Sequence, residues 1–187
     1  MEALFQYFKK YNPLSKEAEQ AIAGISSKIN IKKNQDLQPI GKTCRTIYFL
    51  NKGVARIYYL KDGIDITENF FFENTIIARV ESLLTGKPSR KAIQVLEDAE
   101  IIGINADKLF ALYDRFPEIE RLFRKIFEAA YIDTINRIES IQFHTAEERY
   151  KALLHEAPGV LKRIPLKYVA SYLGITQVSL SRIRAHR

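Results

Sequence analysis

Apolar positions change their period along the 187 residues of this chain. Over residues 1–25 the period is helical. Leu4, Phe5, Phe8 and Tyr11 make one stripe, Asn12-Pro13 interrupts it, and Ser15 can cap a second helix running towards Gly24. From about residue 25 to residue 104 the texture becomes short β-branched and aromatic runs, at 29–31, 46–50, 54–60, 64–72, 92–95 and 101–104. Gly41, Asn51-Lys52-Gly53 and Lys61-Asp62-Gly63 lie between runs, and the Asp-Gly pair predicts a hairpin. Several short strands at this spacing predict an antiparallel barrel or jelly roll rather than a parallel sheet. A short helix is expected at 79–84, ahead of the loop Gly86-Lys87-Pro88-Ser89.

Helical spacing returns at Asn105, and Pro117 opens a long helix. Phe123, Phe127, Tyr131, Thr134, Ile138 and Ile141 recur at three and four residues, with Ile126, Ala130 and Ile135 beside them. Such an extended stripe suits pairing with a second copy of the chain, so these six positions are the expected dimer seam. Thr145 then caps a fresh helix that ends near 157–159. The last stretch, 166–184 (LKYVASYLGITQVSLSRIR), carries the pattern of a helix-turn-helix. Val169, Leu173, Ile175, Leu180 and Ile183 share one apolar seam, and Ala170 is small enough for close helix approach. Gly174 stands where the chain turns, and Thr176 can cap the second helix. The second helix of such a unit enters the DNA major groove, where Gln and Arg read base edges. The expected DNA-binding residues are therefore Lys167, Thr176, Gln177, Val178, Ser179, Ser181, Arg182 and Arg184, on a recognition helix over about 177–186. These elements divide the chain into residues 1–116 (N-terminal helices and jelly roll), 117–142 (long connecting and dimerisation helix) and 143–187 (helix-turn-helix domain). The fold class is α+β.

Charge sharpens this picture. The chain carries 29 Lys and Arg against 22 Asp and Glu. Six of the basic residues (Lys162, Arg163, Lys167, Arg182, Arg184 and Arg187) fall after Ala157 with no acid among them, which leaves 23 against 22 upstream. The excess positive charge thus sits on the segment assigned to phosphate contact, with double-stranded DNA as the expected partner. A single cysteine, Cys44, excludes an internal disulfide framework. It fits a reducing cytoplasm, and no signal-peptide core or membrane-length apolar run is visible.

The order of helical start, jelly roll, long helix and helix-turn-helix resembles the cyclic-AMP receptor/FNR-type (Crp/Fnr) transcription regulators over nearly the whole chain. The residue-level marks are Gly41 and Gly53 around TIYFL, the IPLKYVASYLGIT segment, and Ser181-Arg182-Ile183. The resemblance implies a homodimer on a two-fold DNA site, a cyclic-nucleotide-binding-like jelly roll holding a small-molecule effector, and RNA polymerase as a further partner. Gln177, Val178 and Arg182 match the family's base-reading positions; only Arg182 matches in type. The family's nucleotide cassette places Gly-Glu-Leu ahead of Arg-Ser or Arg-Ala. Laid without gaps on 76–93, Gly and Glu fall on Ala78 and Arg79, and the Arg-Ser pair on Ser89-Arg90, in reversed order. A cation replaces the ribose acceptor, so control by cyclic AMP is not expected. Arg79, Glu81, Ser89 and Arg90 are the candidate effector residues, with Glu81 and Arg90 as substitutes if the loop shifts. The family's β-hairpin wing has no counterpart in the sequence up to Arg187, so either the wing is absent or the chain is cut short there.

Two rivals follow from the same residues. Jelly rolls also house metal enzymes, but His144, His155 and His186 all lie after the barrel region and Cys44 is a lone thiol, so neither catalysis, nor a metal, nor a cofactor is expected. The alternative is a ligand-sensing or protein-interaction module with a vestigial helix-turn-helix. The cationic outer face of 177–184 weighs against it.

Overall fold

The computed structural model describes residues 1–185. Helices α1 (Glu2–Lys9) and α2 (Lys16–Gly24) precede strands β1 (Ser26–Ile31), β2 (Asp36–Gln38), β3 (Thr46–Lys52), β4 (Ala55–Lys61), β5 (Ile64–Phe71) and β6 (Thr75–Ile77). Helix α3 (Val80–Thr85) separates these from β7 (Ala92–Val95) and β8 (Ala99–Asn105). There follow α4 (Ala106–Ala111), α5 (Pro117–Phe143), α6 (Ala146–Glu156), α7 (Val160–Arg163), α8 (Leu166–Leu173) and α9 (Gln177–Ala185). The strands form two antiparallel sheets, ordered β1-β8-β3-β6 and β2-β7-β4-β5. This is the expected jelly roll flanked by helices. The β4–β5 hairpin turns at Asp62-Gly63, both with positive φ (52° and 76°), the geometry that matches the strands' own twist.

Between the sheets lie Leu50, Ala55, Ile57, Ile77, Ile93, Val95 and Ile101. A second cluster seals one end of the roll, where α1, α2, α4 and the first half of α5 cover β3 and β8. Strand β3 is apolar on both faces for this reason: one face meets the roll core and Phe49 meets Tyr7 of α1. Phe123 belongs to this end cluster, fully buried with its ring edge-on to Phe8, centroids 5.6 Å apart. Its expected place in a dimer seam is therefore corrected; the protomer's own core takes it. Phe127 is half-buried, and beyond it α5 leaves the roll with Tyr131, Thr134, Ile138 and Ile141 exposed. One helical period thus serves two environments in succession.

The C-terminal helices dock on the other end of the roll. Val54, Phe70 and Leu96 from the roll share a cluster with Val160, Ile164, Val169 and Leu173. Beneath this contact Arg56 is 1 % exposed. Its guanidinium donates to both oxygens of Asp65 (2.5 and 2.6 Å), to Thr67 Oγ1 (3.0 Å) and to Gln94 Oε1 (3.0 Å). It also stacks between the rings of Tyr58 (4.3 Å) and Tyr168 of α8 (3.7 Å). At the rim Arg163 of α7 bridges Glu73 and Glu97 (2.5 and 2.6 Å), while Glu73 also accepts from the Gly53 N–H (3.0 Å).

Arg163 and the hydrogen bonds to Glu73 hold that carboxyl down, from 4.5 to about 2. A carboxylate depressed in the folded state adds stability that is complete above its unfolded value and fades as pH falls through its folded value. Thermal unfolding followed from pH 6 down should therefore lose stability between about pH 4.5 and 2. Arg163→Met should flatten that part of the curve. An unchanged slope in the variant would mean that other carboxylates govern the acid limb.

Candidate functional site

The first candidate site is the helix-turn-helix formed by α8 and α9. Gly174 ends α8 in the left-handed conformation (φ 69°, ψ 30°), and the N–H groups of Gly174 and Ile175 close on Ser171 and Ala170 carbonyls. Thr176 Oγ1 accepts from the Ser179 N–H (3.1 Å) and its hydroxyl meets Ser179 Oγ (3.0 Å). These two expected DNA contacts also form the helix cap. Val169, Ala170, Leu173 and Leu180 are buried in the shared seam. That arrangement turns Lys167, Gln177, Val178, Ser181, Arg182 and Arg184 to solvent. Residue 186, the last of the expected recognition helix, lies outside the described residues.

Sequence reasoning did not find the two side chains that hold α8 from behind. Arg149 of α6 donates to the Leu173 carbonyl (2.7 Å), and Arg137 of α5 donates to the Tyr172 carbonyl and lies 3.8 Å over the Tyr172 ring. Cations at the last carbonyls of a helix satisfy acceptors that have no intrahelical donor. Both contacts are long-range, so no local pattern announces them.

The second candidate site is a cavity of about 380 Å³ between β5, β6, α3 and the middle of α5. Ile57, Phe71, Ile76, Ala78 and Phe127 make its apolar wall; Glu68, Arg79, Glu81, Asp133 and Arg137 supply charge. Its size falls in the range usual for small-molecule sites. Of the expected effector residues, Arg79 and Glu81 line this cavity. Ser89 and Arg90 do not: Ser89 is buried with its hydroxyl spent on the Lys91 carbonyl and N–H, and Arg90 is exposed. Of the aromatic residues in the strands, Phe71 reaches the cavity, whereas Phe70 packs on Tyr172 of α8.

Glu68 reaches the cavity through an irregular register. Ile57 pairs with Asn69 and Tyr58 with Thr67, which leaves Glu68 as the extra residue of a β-bulge. Its Oε1 accepts from Lys91 Nζ (2.5 Å), and Arg79 Nη1 stands 3.7 Å from its Oε2. Among the described residues, the buried side-chain polar atoms without a hydrogen-bond partner are Glu68 Oε2, Arg79 Nε and Arg137 Nε. Burial also disfavours the Arg137 charge, pulling its pKa below the usual arginine range.

Residues 28–116 match the family model for the cyclic nucleotide-binding domain. FixK2 from Bradyrhizobium japonicum is similar in structure, with a TM-score of 0.75 at 17 % identity over 87 % of this chain and 84 % of that one. A transcriptional regulator assigned to the Crp/Fnr family from Eubacterium rectale gives 0.75 at 18 %, over 97 % and 87 %. The fold is that of the Crp/Fnr regulators. The c-di-GMP-responsive global regulator CLP of Xanthomonas campestris shares it too, with a TM-score of 0.73 at 14 % identity over 92 % and 91 %. No curated protein matches the sequence. In this Crp/Fnr fold the cavity lies in the domain matched by the family model and against the helix that follows it. No helix among the described residues is long and apolar enough to cross a membrane.

The turn at Gly174 gives a direct test of how the helix-turn-helix is built. Gly174→Val places a β-branched residue at positive φ and should cost on the order of 1–3 kcal/mol in thermal or urea unfolding. Gly174→Asn should cost clearly less, because asparagine tolerates that region. Equal losses would show that the positive φ is not what selects glycine there.

Proposed function

We propose that this chain is a homodimeric, sequence-specific DNA-binding transcription regulator of the Crp/Fnr type, with α9 as the recognition helix. The observation that carries the reading is the division of α9. Leu180 anchors it in the seam, while Gln177, Val178, Ser181, Arg182 and Arg184 form an exposed face without an acidic residue. Arg182 can donate both forks to a guanine edge, Gln177 can pair with adenine, and Val178, 62 % exposed, can meet a thymine methyl. Lys167, Arg184, Thr176 and Ser179 would meet the phosphates on either side. Such contacts fix register, whereas base contacts carry sequence.

The dimer is proposed through α5. Tyr131, Thr134, Ile138 and Ile141 continue the helical stripe past the roll into solvent, and Phe127 stands at its inner end. Two paired copies would present their recognition helices about one DNA turn, roughly 34–36 Å, apart. The cavity is the effector site, with Arg79 and Glu81 on its wall. Cyclic AMP is not its effector, since Arg79 occupies the place of a ribose acceptor and Ser89 is bonded within its own loop. The reading places the protein in the cytoplasm, with RNA polymerase as a further partner.

Selection from random duplexes should return a two-fold motif. Arg182→Ala should then lose about 1–3 kcal/mol on that motif and relax one base step, measured by fluorescence anisotropy. Lys167→Ala should weaken all duplexes alike and lower the salt slope. Equal losses on selected and random DNA for Arg182→Ala would remove it from base reading.

Ile138→Asp should shift the protein from dimer to monomer in sedimentation velocity, because it puts an unpaired charge into an apolar contact. A variant that still sediments as a dimer would move the seam elsewhere.

A further inference from the structure

We propose that the cavity between the roll and α5 binds a small organic oxyanion with an apolar body and a hydrogen-bond donor. The anion would be gripped by Arg79 and by the same Arg137 that holds α8. This inference rests on the effector-site reading above and adds the ligand's chemistry and its route to the reader.

The unsatisfied groups point to that chemistry. Glu68 Oε2, Arg79 Nε and Arg137 Nε are buried without a hydrogen-bond partner, and all three residues line this one cavity. Leaving a buried polar group unpaired is costly, and more so when the group is charged. Here the missing partners are an acceptor for two N–H groups and a donor for one carboxylate oxygen. Guanidinium groups pair best with carboxylate or phosphate, so the acceptor is an oxyanion. An ammonium, amide or hydroxyl beside it would serve Glu68, which the β-bulge aims at the cavity. Ile57, Phe71, Ile76 and Phe127 leave an apolar body as the rest of the ligand.

Arg137 gives the site its second property. One edge of its guanidinium donates to the Tyr172 carbonyl and its face covers the Tyr172 ring, while its Nε is buried and unpaired on a side chain that lines the cavity. Tyr172 lies two residues before Gly174, at the end of the first reader helix. An anion bound to Nε is therefore bound best while Arg137 is held in this pose against α8. A ligand that prefers one pose shifts the protein towards it. The effector then orders the reader within a single chain, besides any change in how two copies of α5 pair.

Two probes separate carboxylate from phosphate: L-phenylalanine, which adds an ammonium, and phenyl phosphate, which does not. Each is titrated into the full chain by calorimetry beside cyclic AMP. Hydrogen exchange of residues 166–180 is followed with and without probe, in the absence of DNA. The inference expects saturable binding of at least one probe, weakened about tenfold or more in Arg79→Met and in Arg137→Met. It also expects slower exchange over α8 and the turn at Gly174. Tyr172→Leu removes the ring under Arg137 but leaves the carbonyl, so it should weaken probe binding only a few-fold and reduce that slowing, which separates transmission from capture without changing a cavity-lining residue. Thermal unfolding confirms that each variant is folded.

No saturable heat from either probe would overturn the ligand class, and tighter binding of cyclic AMP than of both would overturn its exclusion as the effector. Absence of heat from all three compounds would overturn the effector-site reading with it. Binding untouched by both Met variants would overturn the arginine grip. Binding with exchange slowed only in the roll would overturn the route through Arg137. Because DNA is absent from the assay, none of these results depends on whether α9 reads bases.

Discussion

Arg56 is the charge around which the two halves of the molecule are assembled. A fully buried guanidinium is tolerable only when its donors are met, and here Asp65, Thr67 and Gln94 meet them from β5 and β7. Those bonds tie three adjacent strands of one sheet to a common centre. The last face of the guanidinium is closed by Tyr168, which belongs to α8. Folding the roll therefore leaves a cation that α8 must cover. Removing one partner of such a group leaves the others buried and unpaired, typically at about 3–5 kcal/mol. The interface is thus specific in a way that Val54, Phe70 and Leu96 alone would not make it, since apolar area is indifferent to rotation.

Around this centre the polar contacts are arranged by depth. Ser171 Oγ accepts the Thr67 N–H (2.9 Å) and donates to the Asp65 carbonyl (3.3 Å), joining α8 to the edge of β5 near Arg56. Farther out, Arg163 spans Glu73 and Glu97, both about one-third exposed, where water screens the attraction. The inner contacts fix geometry and the outer ones respond to pH and salt. Glu73 adds a further constraint, because the same carboxylate receives the N–H of Gly53 in the turn between β3 and β4. A Cβ on Gly53 would come within 2.9 Å of Ala99, so that turn leaves room for little else.

Much of this was legible in the sequence because the signals were local. The Asp62-Gly63 hairpin, the Thr145 cap and the Gly174–Thr176 turn each depend on residues within four positions of one another. Strands β2 and β6 were not foreseen; at three residues each, they are too short to carry a period. Phe123 and Tyr131 share one helical stripe, and only the position of the roll along α5 sends one inward and the other to solvent. The cavity was half legible. Arg79 and Glu81 were found by laying a cassette on the chain, but Glu68 depends on a register slip and Arg137 on a contact 35 residues away. Ser89 lies away from the cavity because its loop uses its hydroxyl, which a gapless alignment does not register.

The grip of Arg137 and Arg149 on α8 makes that helix a passenger of α5 and α6. From Phe127 to Phe143 the exposed part of α5 is about 24 Å long. If two copies cross near Phe127, a change of about 10° in the crossing angle would swing the far end by roughly 4 Å. That is comparable to the spacing of successive base pairs along a duplex. A rigid clamp at the end of a long arm is a gear: it would convert a small rotation near the roll into a larger displacement of α8 and α9. Slack at either arginine would absorb the same rotation before it reached α9.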